Sequence, residues 1–242
     1  MQGFRGEAAM VNAPMIRYGT AMIIDMHTHA GRPRRTGDVD RAVLATMRPA
    51  GVAAAVVAAI ADIPVIRRDP VTKRLIKVRE PLPGECLEAT LGYLDSFGAA
   101  GMRIAREPDD IRADDPALVL AVEGCDFLDG DLDRLNAMEA RGVRSIQLTH
   151  YLVNETGDIQ TAPPVHGGLT RFGAEAVRRM NRIGVIVDVA HCSVTRCAAW
   201  RRRPRSQFSA PTPICWNRAC RMASIRGSSA WTTRAWWRAP GE

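Results

Sequence analysis

Five side chains in this 242-residue sequence combine a metal-binding type with a position that could gather them. Asp25-x-His27-x-His29 closes the apolar run AMIIDMH (21–27). Alternate residues of a strand point the same way, so His27 and His29 can reach one ion together. Imidazole suits Zn²⁺ and similar ions, and Asp25 is expected to orient a ligand from behind. The plain alternative is a polar strand end carrying solvated histidines. Glu123 ends PALVLAVEG, where a carboxylate at the mouth of a buried strand is costly unless it is paired or coordinated. His150 ends VRSIQLTH and His191 ends VIVDVAH. A single histidine so placed reads as a hydrogen-bonded structural residue. Four strands that all end in ligand-type residues read as one metal centre.

The elements that must position these residues alternate along the chain. A strand is expected over 21–27 and a helix over 38–50. Gly51 opens a second buried strand through VAAAVVAAIAD, and the Pro- and Arg/Lys-rich stretch 63–84 reads as an inserted loop or hairpin. ECLEATLGYLDSFGAAG (85–101) has helical spacing and a glycine stop. A short strand (102–105), the strand to Glu123, a helix over 130–141 and the strand to His150 follow. Thr170 is placed to cap a helix running through Asn181, which Gly184 ends. The strand to His191 comes next, and Ser193 is placed to cap a further helix. Apolar strands alternating with helices imply a parallel sheet with covering helices, buried on both faces. Polar residues fall at the C-terminal ends of the strands, the rim on which (β/α) barrels build their sites. The expected class is therefore α/β, a TIM-barrel-like (β/α) fold holding about six of the eight strands a full barrel needs.

Composition narrows the partners. Residues 1–196 carry 24 Lys/Arg against 25 Asp/Glu, whereas residues 197–242 carry nine Arg against one acid, so the net charge of +7 belongs to the last segment. The body gives no sign of a nucleic-acid or membrane-surface partner. No apolar run reaches the length of a spanning helix, and residues 1–20 form a leader that makes a poor signal peptide. Six cysteines without a CxxC pair point to reduced thiols and a cytoplasmic location. His166, in TAPPVHGG, reads as a solvated or lid residue; Asp126 and Asp158 are candidate pocket-lining groups, and Asp188 a structural partner inside the barrel. Cys125 and Cys192 read as small buried residues.

DMHTHAG, LAVEG, GVRSIQLTHYLVNETGD and GLTRFGAEAVRRMNRIGVIVDVAHCS resemble the successive signature stretches of the membrane (renal-type) dipeptidases, in that family's order, over about residues 20–195. The resemblance implies a dipeptide substrate and two Zn²⁺ ions. By it, His27 and His29 hold the first ion, Glu123 bridges, His191 holds the second, and His150 contacts substrate and supports the transition state. His29 stands where the family has aspartate, which changes the charge of the site and its choice of metal. A TatD-like, amidohydrolase-type barrel is the alternative enzyme, because such barrels also open on a strand ending in His-x-His. Oligomeric state is left open, a homodimer among the options.

The character of the sequence changes after Cys197, so the expected organisation is leader 1–20, partial barrel 21–196 and aberrant tail 197–242. All five tryptophans lie from Trp200 onward, and no histidine follows His191. One reading is a basic, aromatic nucleic-acid-binding tail. The favoured reading is a shifted frame in a GC-rich gene. Back-translated from the third base of the Phe208 codon, the segment permits a histidine opposite Thr212 and then forces Leu-Glu. That is near where the family carries its next metal-binding histidine. The chain as written is accordingly expected to be a weak enzyme or an inactive fragment.

Overall fold

The computed structural model describes residues 22–29, 45–99 and 101–193. The leader, most of the stretch expected as a helix over 38–50, and everything from residue 194, including the helix that Ser193 was to cap, lie outside the described residues.

Six strands form one sheet: β1 (Ile23–Thr28), β2 (Val52–Ile60), β5 (Arg103–Ile104), β6 (Ala117–Glu123), β7 (Val143–Gln147) and β8 (Ile186–Asp188). Their order is β1-β2-β6-β7-β8 and every pair is parallel. The short β5 also pairs with β6, at Ala117 and Leu118. Because β2 holds one edge of those residues, β5 takes the other, below the point where β7 joins at Leu120. Apart from β5, spatial order follows chain order, and helices lie in the connections from β2 to β6, β6 to β7 and β7 to β8, the winding of a (β/α) barrel. The stretch after β2 forms the antiparallel hairpin β3 (Ile66–Arg68) and β4 (Leu75–Lys77).

Three helices, α1 (Glu85–Gly98), α2 (Asp133–Ala140) and α3 (Arg171–Arg182), cover one face of the sheet. Phe97 from α1, Leu135 and Met138 from α2 and Met180 from α3 are fully buried against Val57, Leu118, Leu120 and Val122. The other face carries mostly small residues, with Ala54, Ala58, Ala117 and Ala121 around Val56 and Val119. β2 and β6 are buried on both faces, as their unbroken apolar sequence requires. β1 differs from expectation. It pairs with β2 on one side, and Asp25, His27 and His29 are exposed. Among the described residues no helix is long and apolar enough to cross a membrane.

α3 begins as its sequence dictates. Thr170 has an extended backbone, and its Oγ1 accepts the Gly173 backbone N–H at 2.9 Å while donating to the Glu155 carbonyl at 2.5 Å. Gly173 is pressed against the loop so closely that a side chain there would run into the Thr156 carbonyl oxygen. Thr170→Ala is expected to destabilise the fold by about 1 kcal/mol through the lost cap. Gly173→Ala should be worse, about 1–3 kcal/mol, because backbone must move. Urea midpoints of the two variants should rank in that order.

Candidate metal centre

The ends of β2, β6, β7 and β8 are locked level with one another beyond the strands themselves. Ala61 N donates to Glu123 O at 3.0 Å, Cys125 N to Leu148 O at 3.0 Å, and Leu148 N to Asp188 O at 3.1 Å. Register sets Ile60, Glu123, Gln147 and Asp188 side by side on one rung. Their side chains therefore share the face lined by the small residues, and Glu123 emerges there at the C-terminal rim.

β1 reaches that face through a bulge. Ile24 and Asp25 pair with Ala54 and Ala55, but Thr28 pairs with Val57, so β1 spends three steps where β2 spends two. The extra residue reverses the phase of the strand. Without it His27 would fall level with Val57, on the helix-covered face. With it, His27 and His29 turn to the Glu123 side, and His29 Nδ1 lies 3.4 Å from Ala58 O. The same bulge leaves Asp25 on the other phase. Its carboxylate accepts the backbone N–H of His27 at 3.2 Å and does not touch an imidazole, which corrects the expectation that it orients a ligand.

The structure brings all five candidate residues around one carboxylate. Glu123 is 3% exposed, and His27 Nε2, His150 Nε2 and His191 Nε2 stand 3.7, 3.5 and 3.7 Å from its Oε1. His29 Nε2 is 3.3 Å from Oε2 and 3.3 Å from His27 Nε2. The ligand atoms fall into two groups, His27–His29–Glu123 and Glu123–His150–His191, each within 4.8 Å.

These residues fit metal ions on the structure's own terms. Glu123 Oε2 is buried with no hydrogen-bond partner among the described residues, since His29 is near but not aligned as a donor. An orphaned buried oxygen is costly, and a cation removes the cost. Ligands of a tetrahedral zinc bonded at about 2.0–2.1 Å lie roughly 3.3–3.4 Å apart, close to the observed 3.3–3.7 Å spacings. Desolvation lowers the pKa of His29 and of His191 against the raising charge of Glu123, and the net direction favours the neutral, ligating imidazole. His191 also holds a left-handed backbone, φ +64°, a strained conformation for a residue of its kind.

His150 has a different setting. Burial alone would lower its pKa, but the bond and charge of Asp62, followed by Glu123, raise it. Asp62 was not singled out in the sequence; its signal is a carboxylate two residues beyond Ile60, on the rim phase of β2. Gln147, on the Glu123 rung, was missed as well; it is buried, and its Nε2 donates to Thr149 O at 2.6 Å. Asp188 sits at the next position of that rung. Burial raises its pKa, and its Oδ1 accepts the Ala190 N–H at 2.8 Å.

The remaining candidates lie around the site. Asp158 accepts backbone N–H bonds from Val165, His166 and Gly168 at 2.9, 2.9 and 2.6 Å, and so folds the loop that bears the exposed His166. Gly124 adopts φ +93°, and a Cβ there would come within 2.7 Å of Asp126 Oδ2. The Cys125 thiol is buried and its pKa rises well above the ordinary value, as an inert thiol's does.

Residues 94–200 match the family model described as membrane dipeptidase, peptidase family M19. That segment takes in Glu123, His150 and His191, whereas His27 and His29 lie upstream of it. "Dipeptidase verJ" of Clonostachys rogersoniana is 36% identical over 104 residues, 42% of this chain and 26% of that protein. "Dipeptidase 3" of Mus musculus is 34% identical over 84 residues, 33% of this chain and 17% of that protein. The chain thus spans about a quarter or less of the length of these dipeptidases. Among solved structures, the probable dipeptidase PvdM of Pseudomonas aeruginosa aligns with TM-score 0.55 at 20% identity, over 80% of this chain and 55% of that one. A metallo peptidase of Rhodobacter sphaeroides, liganded with a phosphinate mimic of dipeptide L-Ala-D-Ala, aligns with TM-score 0.51 at 19% identity, over 72% and 60%. These likenesses show the fold, a parallel α/β sheet of the dipeptidase barrel type.

Asp126 yields a pH prediction. Burial, with Asp62 close by, lifts its pKa to about 7. The native state then holds a proton that the unfolded chain releases near pH 4, so stability is present below that point and declines as pH rises toward 7. The decline should be at most on the order of 4 kcal/mol. Urea midpoints taken from pH 4 to 8 should fall for the parent and stay nearly level for Asp126→Asn.

Proposed function

We propose that this chain carries the site of a zinc-dependent hydrolase that cleaves dipeptides through two ions sharing Glu123. What carries the proposal is the ring of four imidazoles about one buried, orphaned carboxylate, in a chain whose residues 94–200 match the membrane dipeptidases. His27, His29 and Glu123 Oε2 would hold one ion, and Glu123 Oε1 with His191 the other. Bound together, such ions lower the pKa of a shared water and polarise the scissile carbonyl.

The protein's part is arrangement. Glu123 contributes the only carboxylate of the five candidates, and the level strand ends fix its two oxygens toward different histidines. His29, in the place of the family's aspartate, leaves the site one negative charge poorer, which favours nitrogen-seeking zinc over oxygen-seeking ions. His150 Nε2 stands on the same side as the ligands, and as an imidazolium, with a proton on each nitrogen, the ring would donate to the oxyanion that forms when the peptide carbonyl is attacked. The basic hairpin β3–β4 follows the same strand end as Asp62 and packs with Tyr151 and Leu152, next to His150 in the chain.

With His150 kept for the oxyanion, Glu123 and His191 leave the second ion two protein ligands against the three of the first. Chelator-sensitive dipeptide turnover with added Zn²⁺ or Mn²⁺ is therefore expected to be measurable but weak in the 242-residue chain. Glu123→Gln should abolish it and lower zinc content at both positions. A frame-corrected protein should gain on the order of 10²–10³-fold in kcat/KM, the scale of several kcal/mol of transition-state stabilisation. Strong turnover by the chain as written would overturn the expected deficit, and cleavage of DNA without cleavage of dipeptides would overturn the dipeptidase function.

A further inference from the structure

Asp62 has no assigned task, yet it is fully buried at the rim of the site. It follows β2 by two residues, so its side chain keeps the phase of Ile60, which is paired with Glu123. Its backbone is held from both sides, because Ala61 N donates to Glu123 O and Val65 N donates to Asp62 O. Both carboxylate oxygens are engaged. Oδ1 lies 2.8 Å from His150 Nδ1, and Oδ2 accepts the Tyr151 backbone N–H at 3.0 Å. Among the described residues no lysine or arginine forms an ion pair with it, so its charge is answered by His150.

A carboxylate can only accept, so the 2.8 Å contact requires a proton on Nδ1 of His150. That fixes which nitrogen remains for the site: Nε2, 3.5 Å from Glu123 Oε1. The ring is also braced edgewise, its centroid 4.4 Å from that of Tyr151 and 5.0 Å from that of His191. We propose that Asp62 is a positioning residue: it accepts the Nδ1 proton of His150, sets the rotation of the ring and so turns Nε2 to the reacting side of the metal centre. This rests on the metal-dependent hydrolysis proposed above, which gives His150 its task. A mere tie between the end of β2 and the end of β7 would need only the Tyr151 N–H bond, and the state of the imidazole would be immaterial to it.

The discriminating measurement is the ring ¹H–¹⁵N spectrum of the zinc-loaded 242-residue chain, with His150 assigned by comparison with His150→Gln. Expected are a protonated Nδ1 on His150 with a downfield proton, and loss of that signal in Asp62→Asn while zinc content is unchanged. Residual dipeptide turnover should fall about 10–100-fold in kcat with KM nearly constant. An unprotonated Nδ1 in the parent would overturn the proposal, and this outcome needs no variant to fold. So would an Asp62→Asn protein that loses thermal stability alone and keeps both the ring signal and kcat. A parent that binds no zinc and cleaves no dipeptide would instead overturn the function, whatever its ring spectrum shows.

Discussion

A carboxylate that is 3% exposed, on a strand with apolar neighbours on both sides, must be answered electrostatically by something. Among the described residues no lysine or arginine forms an ion pair with Glu123; histidines do, from four directions. Imidazole is a poor permanent counter-ion at neutral pH and a good metal ligand. The arrangement is therefore under-neutralised by protein alone, the condition that a bound cation would relieve. Much of the surrounding architecture follows from holding that group in place. Level strand ends set its height, a glycine with positive φ lets the chain turn directly after it, and helices cover the far side of the sheet.

Two kinds of carboxylate are kept apart within a short radius. Glu123 faces the histidines with one oxygen lacking a hydrogen bond, whereas Asp62 has both oxygens engaged and serves the back of one ring. Asp126 lies near Asp62, and burial with that second charge drives it toward the neutral form. The three acids thus divide into a group open to ligation, a group that orients, and a group that stays protonated into the neutral range. Distance from the rim and the count of hydrogen bonds decide which is which.

The sequence made most of this visible. Each of the six strands was legible from an apolar run, although β7 and β8 stop at Gln147 and Asp188, three residues short of the expected ends at His150 and His191, and the cap at Thr170 was legible from its residue type and the periodic stretch behind it. The five candidate residues were legible because a barrel rim converts strand ends into neighbours. Three features were hidden for physical reasons. Asp62 lies past its strand, and its importance depends on a ring that arrives from a distant segment of the chain. Gln147 sits inside a strand, where an amide reads as an interruption; only the register places it beside Glu123. The role expected for Asp25 failed because a bulge is a mismatch between two strands, and no single strand's sequence displays it.

That bulge makes chain length, rather than residue chemistry, the tightest requirement on β1. Removing one residue between Asp25 and His27 would leave every candidate ligand in the protein and still turn both histidines of this strand into the helix layer. Substitutions at Met26 would do far less harm than its deletion. Relatives compared by aligned letters alone could conserve His-x-His and yet differ in whether those histidines meet the carboxylate. The number of residues separating this pair from the last paired residue of the preceding ladder would tell them apart.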